Sequence, residues 1–356
     1  MRAIGLMSGT SLDGVDAAFL ETDGETVTAF GPARTLPYDD ALRADLRGLL
    51  DRADGLDQAD PALLSATARL TERHADAVAA LATPADIVGF HGQTILHRPD
   101  RRRTWQIGDA ALLARRTGLP VAHDFRVADV AAGGEGAPLA PVMHDVLSRD
   151  LERPIAVLNI GGVANVTWIG GDGALLAFDT GPGNALLDDW TAKNTGAAFD
   201  RDGKLAGSGR PDQTVLGRLL ADPYFDRPPP KSLDRLQFVR AVAASGIAGL
   251  TPADGAATLV AFTAGAVLRA ADLLPLPPRR WLVTGGGRHN PAIMRALARA
   301  LSGSVEPVES VGWNGDALEA QCFALLAVRV ARRMPLTFPG TTGAPRPLSG
   351  GAIIRP

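Results

Sequence analysis

The chain has 356 residues, 46% of them hydrophobic, with 40 glycines and 26 prolines. That surplus of backbone punctuators lies below the low-complexity range and follows no G-X-Y period, which excludes disordered and collagen-like chains. The 36 basic residues against 39 acidic ones, a net charge of −3, exclude the basic footprint of a nucleic-acid binder.

The predicted elements begin with a hairpin: an apolar strand at 3–7, a tight loop at 8–14 and a second strand at 15–20, with 27–34 as a third strand. Helical periodicity follows at 41–50 and at 61–81, where Leu63, Leu64, Leu70, Ala77 and Leu81 share a face. A buried strand at 86–90 ends at His91-Gly92. A helix at 110–116 and a short strand at 119–122 come next, and the loop-like stretch 131–141 (AAGGEGAPLAP) marks a domain crossing.

From residue 155 the opening plan recurs: strand 155–158, Gly-rich turn 159–165, return strand 166–169, and a third strand 174–178 leading into DTGPGN. We read this as two halves built on one plan, in agreement with roughly 150 residues per domain. Helices are predicted at 186–194, 213–221, 236–245 and 252–274, with a rigid surface loop at 227–230. A strand at 280–284, a glycine triplet, a helix at 291–301, a strand at 304–308 and a long helix at 316–333 complete the chain.

Three Gly-rich turns, 8–14, 159–165 and 284–287, each follow an apolar strand. Glycine lets backbone N–H groups converge on a phosphate, and Ser or Thr hydroxyls add donors. One such turn says little; three in two related halves predict an anion site. No Walker A loop competes, because Gly203-Lys204 lacks both the upstream glycine and the following Ser or Thr. A dinucleotide fingerprint at 285–290 lacks its last glycine, and a hydrolase elbow at 9–14 has one residue too many.

The histidines show no zinc-ligand spacing. His91, Gln93 and Thr94 instead offer the paired donors and acceptors that sugar hydroxyls need. Asp179, at the end of an apolar strand with glycines after it, is placed as a general base or as an Asx-turn cap. Glu319 on the last helix is a second acidic candidate, or part of a solvated face.

Cys322 is the sole cysteine, so no intramolecular disulfide forms and a reducing cytoplasm is the expected setting. Met1-Arg2 leads straight into a Gly-rich motif without a signal-type apolar region. The most apolar stretch, 256–268, is too short to span a bilayer, so no membrane partner is expected.

Together the motifs GLMSGTSLDGVD (5–16), FHGQTILHRP (90–99), QIGDAALLA (106–114), DFRVADVAAGGEGAPLAP (124–141), LNIGGVANVT (158–167), FDTGPGNALLD (178–188), FDRDGKLAGSG (199–209), VTGGGRHN (283–290) and GDALEAQCFA (315–324) resemble the anhydro-N-acetylmuramic acid kinase family. That family is a branch of the actin, sugar-kinase and heat-shock chaperone superfamily. The chain departs from the family pattern at Lys231-Ser232-Leu233-Asp234-Arg235-Leu236, and Glu135 stands where glutamine is common.

The resemblance implies an α/β fold of two related actin-like ATPase (ribonuclease H-like) domains with an interdomain active-site cleft. The expected domains are 1–132, with 338–356 returning to it, and 133–337. It further implies that ATP is bound by Gly9, Thr10, Ser11, Leu12, Asp13, Gly14, Val15 and Asp16, with Asn159, Gly161, Gly162, Asn165, Gly285, Gly286 and Gly287. Mg²⁺ accompanies the nucleotide, reached by Asp13 through water, and no direct metal ligand is assigned.

In the implied reaction water opens the 1,6-anhydro bridge of the sugar, and O6 takes the γ-phosphoryl of ATP, giving N-acetylmuramic acid 6-phosphate and ADP. Asp179 takes the family's base position, and Glu319 that of a second carboxylate near the water. The small-molecule anhydro amino sugar is expected at His91, Gln93, Thr94, Asp109 and Arg126, in a cytoplasmic homodimer serving peptidoglycan recycling. An ordinary sugar or polyol kinase of the same fold stays open as an alternative, separable by a substrate panel. So does a nucleotide-dependent binding module, separable by partner association without sugar turnover.

Overall fold

A computed structural model describes residues 1–9, 11–233 and 235–356. Twelve strands run through the described residues: β1 (Arg2–Ser8), β2 (Gly14–Thr22), β3 (Val27–Pro37), β4 (Ile87–Arg98), β5 (Arg103–Ile107), β6 (Val121–His123), β7 (Ile155–Ile160), β8 (Val163–Ile169), β9 (Leu175–Pro182), β10 (Arg280–Thr284), β11 (Ser304–Pro307) and β12 (Ala352–Ile354). They build two compact units, Met1–Arg149 with Ala317–Pro356, and Asp150–Asp316.

The sheet of the first unit has the order β12-β6-β4-β1-β2-β3, with β5 paired to β4. The sheet of the second has the order β11-β10-β7-β8-β9. In each, a three-stranded antiparallel meander comes first, and two further strands extend the sheet in parallel from its first strand, β4 then β6 from β1 and β10 then β11 from β7, while β5 and β12 pair antiparallel in the first sheet. The repeat read from residue 155 is therefore a repeat of topology. Central β1 and β7 are near-continuously apolar because both of their faces are covered. β3 lies at an edge, is largely exposed and carries Gly31 and Pro32, as edge strands tolerate.

The helix Pro61–Ala80 starts where Asp60 accepts the amides of Ala62 and Leu63, with proline in its first turn. It buries Leu63, Leu70 and Ala77, but Leu64 faces solvent at 55% exposure, one position off the core stripe. The helix Leu318–Ala331 approaches the first sheet unusually closely. A Cβ on Gly5 would lie 1.8 Å from the Ala320 carbonyl oxygen, and one on Gly89 would lie 2.0 Å from that of Phe323. Only glycine permits that approach.

The units divide at points other than 132/133 and 337/338. The segment after residue 132 stays with the first unit because the helix Pro141–Leu147 puts Val142, Met143 and Val146 into one apolar cluster with Leu318, Phe323 and Leu326. That same cluster draws the last long helix into the first unit. A second difference lies in β4, which does not end at His91-Gly92 but runs to Arg98 and turns back into β5. Lying between β1 and β6, its first half is covered on both faces, so its polar residues are buried with the apolar ones. Among the described residues no helix is long and apolar enough to cross a membrane.

Candidate functional site

In the first unit the β1–β2 turn is fixed from below. Ser8 Oγ donates to Gln93 Oε1 at 2.5 Å and lies 2.6 Å from the Tyr38 hydroxyl. Leu12 adopts a left-handed φ of 56°, and its amide donates to the Gly9 carbonyl at 3.3 Å. Leu12 and Val15 are buried and serve as anchors, while Ser11 and Asp13 are exposed and joined by a 2.8 Å hydrogen bond. Arg43 Nε donates to the Leu12 carbonyl at 3.0 Å, and the Tyr38 amide to that of Asp13 at 3.0 Å. Asp16 on β2 accepts from Thr35 Oγ1 at 2.5 Å. Thr10 lies outside the described residues.

The candidate sugar residues fall into two groups. Gln93 is fully buried, its amide spent on Ser8 and on the Thr94 carbonyl. Asp109 accepts the Leu112 amide as the cap of the helix Ala110–Thr117, and Thr94 accepts from Gln106 at 3.1 Å. The second group is a charge cluster. Arg126 Nε donates to His91 Nε2 at 3.0 Å, and Arg126 NH1 donates to the Gly136 carbonyl at 2.7 Å. Burial, and secondly the Arg126 charge, hold His91 well below the usual imidazole range.

Glu319 keeps water-accessible surface yet is ringed by protein, and that desolvation raises its pKa. The Asp16 carboxylate raises it further, while Arg126 opposes. Burial likewise brings the Arg126 guanidinium down to about 10, with Glu319 opposing. Asp129 was not legible from the sequence. Buried at 2% exposure, it accepts the Gly136 amide and Thr342 Oγ1, each at 2.7 Å, and so pins the 133–136 turn. The aspartate preceding GGEG was the available signal.

In the second unit the sheet register aligns a polar row. Thr284 pairs with Asn159, Asn159 with Asn165, and Asn165 with Asp179. Three glycine loops gather at the end of that row. The Gly183 amide donates to the Gly162 carbonyl at 3.0 Å and the Asn184 amide to that of Gly161 at 2.6 Å. Gly285 holds a φ of +76°, and a Cβ there would lie 2.3 Å from Asn159 Oδ1. The third loop is braced by Arg288, a residue the sequence reading passed over. Its NH1 donates to the Gly285 carbonyl at 2.9 Å, and it pairs with Glu309 at 2.9 Å and Asp316 at 2.7 Å.

The Oδ2 of Asp179 accepts the amide of Leu233, far along the chain, at 2.8 Å. A carboxylate whose direction is fixed by a backbone amide is suited to taking up a proton. No group of three or more His, Cys, Asp or Glu able to hold a metal occurs among the described residues.

Residues 1–356 match the protein family described as anhydro-N-acetylmuramic acid kinase. The chain is 66% identical over 356 residues to a protein of that description from Acidiphilium cryptum, covering 100% of this chain and 99% of the other. It is 59% identical over 355 residues to one from Rhodospirillum rubrum, covering 98% and 93%. With one from Paramagnetospirillum magneticum it shares 57% identity over 351 residues, covering 99% of each.

Proposed function

The chain belongs to the anhydro-N-acetylmuramic acid kinase family, and from that premise we propose that it couples hydrolytic opening of the 1,6-anhydro bridge to phosphorylation of O6 by ATP. Water adds to the anomeric carbon as the C1–O6 bond breaks. The freed O6 takes the γ-phosphoryl, giving N-acetylmuramic acid 6-phosphate and ADP. Because O6 leaves carbon as it meets phosphorus, one ordered geometry serves both bond changes, and the gain is chiefly positional.

Asp179 is the base that removes the water proton, a role worth typically about 10²–10⁴-fold. The observation that carries this assignment is its carboxylate, tied on Oδ2 by the Leu233 amide at the end of a row of polar strand residues. Glu319 is the second carboxylate acting on the water. His91, Thr94, Asp109 and Arg126 serve the sugar, with Gln93 acting from beneath by fixing Ser8.

The 9–16 turn and the loops holding Asn159, Gly161, Gly162, Asn165 and Gly285 to Gly287 serve the nucleotide, with glycine amides and small side chains suited to phosphate and ribose oxygens. The exposed Asp13 carboxylate, which accepts from Ser11, fits Mg²⁺ reached through water, an ion that usually keeps several waters beside substrate phosphates. When bound, the ion would offset charge on the transferring phosphoryl. We place the enzyme in the cytoplasm as a homodimer that returns cell-wall sugar to metabolism.

The test is incubation with the anhydrosugar, ATP and ¹⁸O-water. The label enters at C1 of a phosphorylated product. Phosphorylation without ¹⁸O at C1 overturns the coupled reaction, and Asp179→Asn with near-native turnover overturns the base.

A further inference from the structure

Asp179 is gripped at three points by residues 224–233. The Tyr224 hydroxyl donates to the Asp179 carbonyl at 2.6 Å. The Asp179 amide donates to the Lys231 carbonyl at 3.0 Å, and the Leu233 amide to Asp179 Oδ2 at 2.8 Å. This segment contains three consecutive prolines and belongs to neither sheet, so no strand ladder holds its shape.

What closes it is the Lys231 side chain. At 5% exposure, its ammonium donates to the carbonyls of Tyr224 at 3.0 Å and Phe225 at 3.2 Å. It also lies 4.7 Å from the Tyr224 ring centroid and 5.7 Å from that of Phe178, within cation–π range. Lys231 thus ties the turn that holds the Asp179 carbonyl to the 231–233 stretch that holds its amide and carboxylate.

Burying an ammonium is costly, and an apolar side chain would serve packing at less expense. Burial brings this one down to about 8, Arg227 and Arg269 adding to the effect and Asp226 opposing it. Asp226 is itself engaged by Arg269. The ammonium commits two of its three donors to the carbonyls that shape the grip, and the grip has one proposed catalytic side chain in it.

We propose that Lys231 is a positioning residue for the transfer reaction: by closing the 224–233 segment it fixes the direction of the Asp179 carboxylate. The inference rests on the reading of Asp179 as base. Tyr224 is its partner in the same task, through a hydroxyl that burial, with the Asp179 charge, keeps protonated well above the usual phenol range.

The test compares Lys231→Met and Tyr224→Phe, each alone and combined with Asp179→Asn, by steady-state kinetics with melting temperature as the control. Misplacing a reacting group by about 1 Å costs roughly 10²-fold. Lys231→Met is therefore expected to lower kcat by about that factor while KM for ATP stays within about threefold. Tyr224→Phe keeps the ring and the Lys231 contacts, and is expected to lower kcat by about tenfold, on the order of one lost hydrogen bond. In the Asp179→Asn background neither substitution lowers the residual rate further.

A folded Lys231→Met or Tyr224→Phe protein with unchanged kcat overturns the proposal. So does an equal loss in the Asp179→Asn background, which would mark a general structural effect. Asp179→Asn with near-native activity instead removes the base reading, and this proposal with it.

Discussion

Arg126 Nε donates to His91 Nε2 at 3.0 Å, and that contact decides the state of the imidazole. With Nε2 accepting, the proton sits on Nδ1, which donates to the Gly92 carbonyl at 2.8 Å. His91 is thereby a neutral acceptor that aims a guanidinium. In the proposed sugar site it acts through Arg126.

His91→Phe keeps the ring volume and deletes the acceptor, so Arg126 loses one of its two described anchors. KM for the anhydrosugar is expected to rise about tenfold, the scale of one charge-assisted hydrogen bond. KM for ATP is expected to hold. Steady-state kinetics with each substrate varied in turn checks this; a change confined to ATP would contradict it.

Glu319 is raised above the ordinary carboxylate range, so its charged form is lost at a higher pH than usual. If the carboxylate is the active form, kcat falls as pH drops through that raised value. Asp16 pushes the Glu319 value up and Arg126 pulls it down. Asp16→Asn therefore moves the acid limb of kcat to lower pH and Arg126→Met moves it to higher pH, read at saturating substrates. An acid limb that ignores both substitutions would belong to another group.

The halves of the molecule differ in how legible they were. The β1–β2 and β7–β8 hairpins announced themselves because apolar runs flank glycines that a tight turn requires. The 90–99 stretch misled: His91, Gly92 and Gln93 look like a strand end, yet they lie inside β4 with both faces covered. Their hydrogen-bond partners, Ser8 and Arg126, come from distant parts of the chain. Asp179 stands out in the sequence by its place after an apolar strand. The grip on it was not, because Tyr224, Lys231 and Leu233 show no period, and their relation to Asp179 exists only once β9 has formed.

His74 bears on stability rather than turnover. Fully buried, it donates from Nδ1 to the Leu70 carbonyl at 2.8 Å, meets Phe90 edge-on at 4.9 Å, and has no described partner for Nε2. Burial lowers it from 6.5 to about 4. The unfolded ring thus takes up a proton before the folded one does. Stability is full above pH 6.5 and falls as the pH drops toward about 4, at up to about 1.4 kcal/mol per pH unit from this group. His74→Leu is expected to flatten that slope between pH 6 and 5 by about that amount, measured by urea unfolding. An unchanged slope would place the proton uptake elsewhere.

The close seating of the helix Leu318–Ala331 on Gly5 and Gly89 has a consequence for biosynthesis. The second unit, Asp150–Asp316, is one uninterrupted stretch of polypeptide, whereas the first is split by it. Domains generally fold as units, N-terminal first, as they emerge during synthesis. Here that order is reversed at completion. The first 149 residues are made with the surface of β1 and β4 still waiting for its cover, and every residue of the second unit is translated before that cover begins. The earliest-made half of this enzyme is the last to be finished.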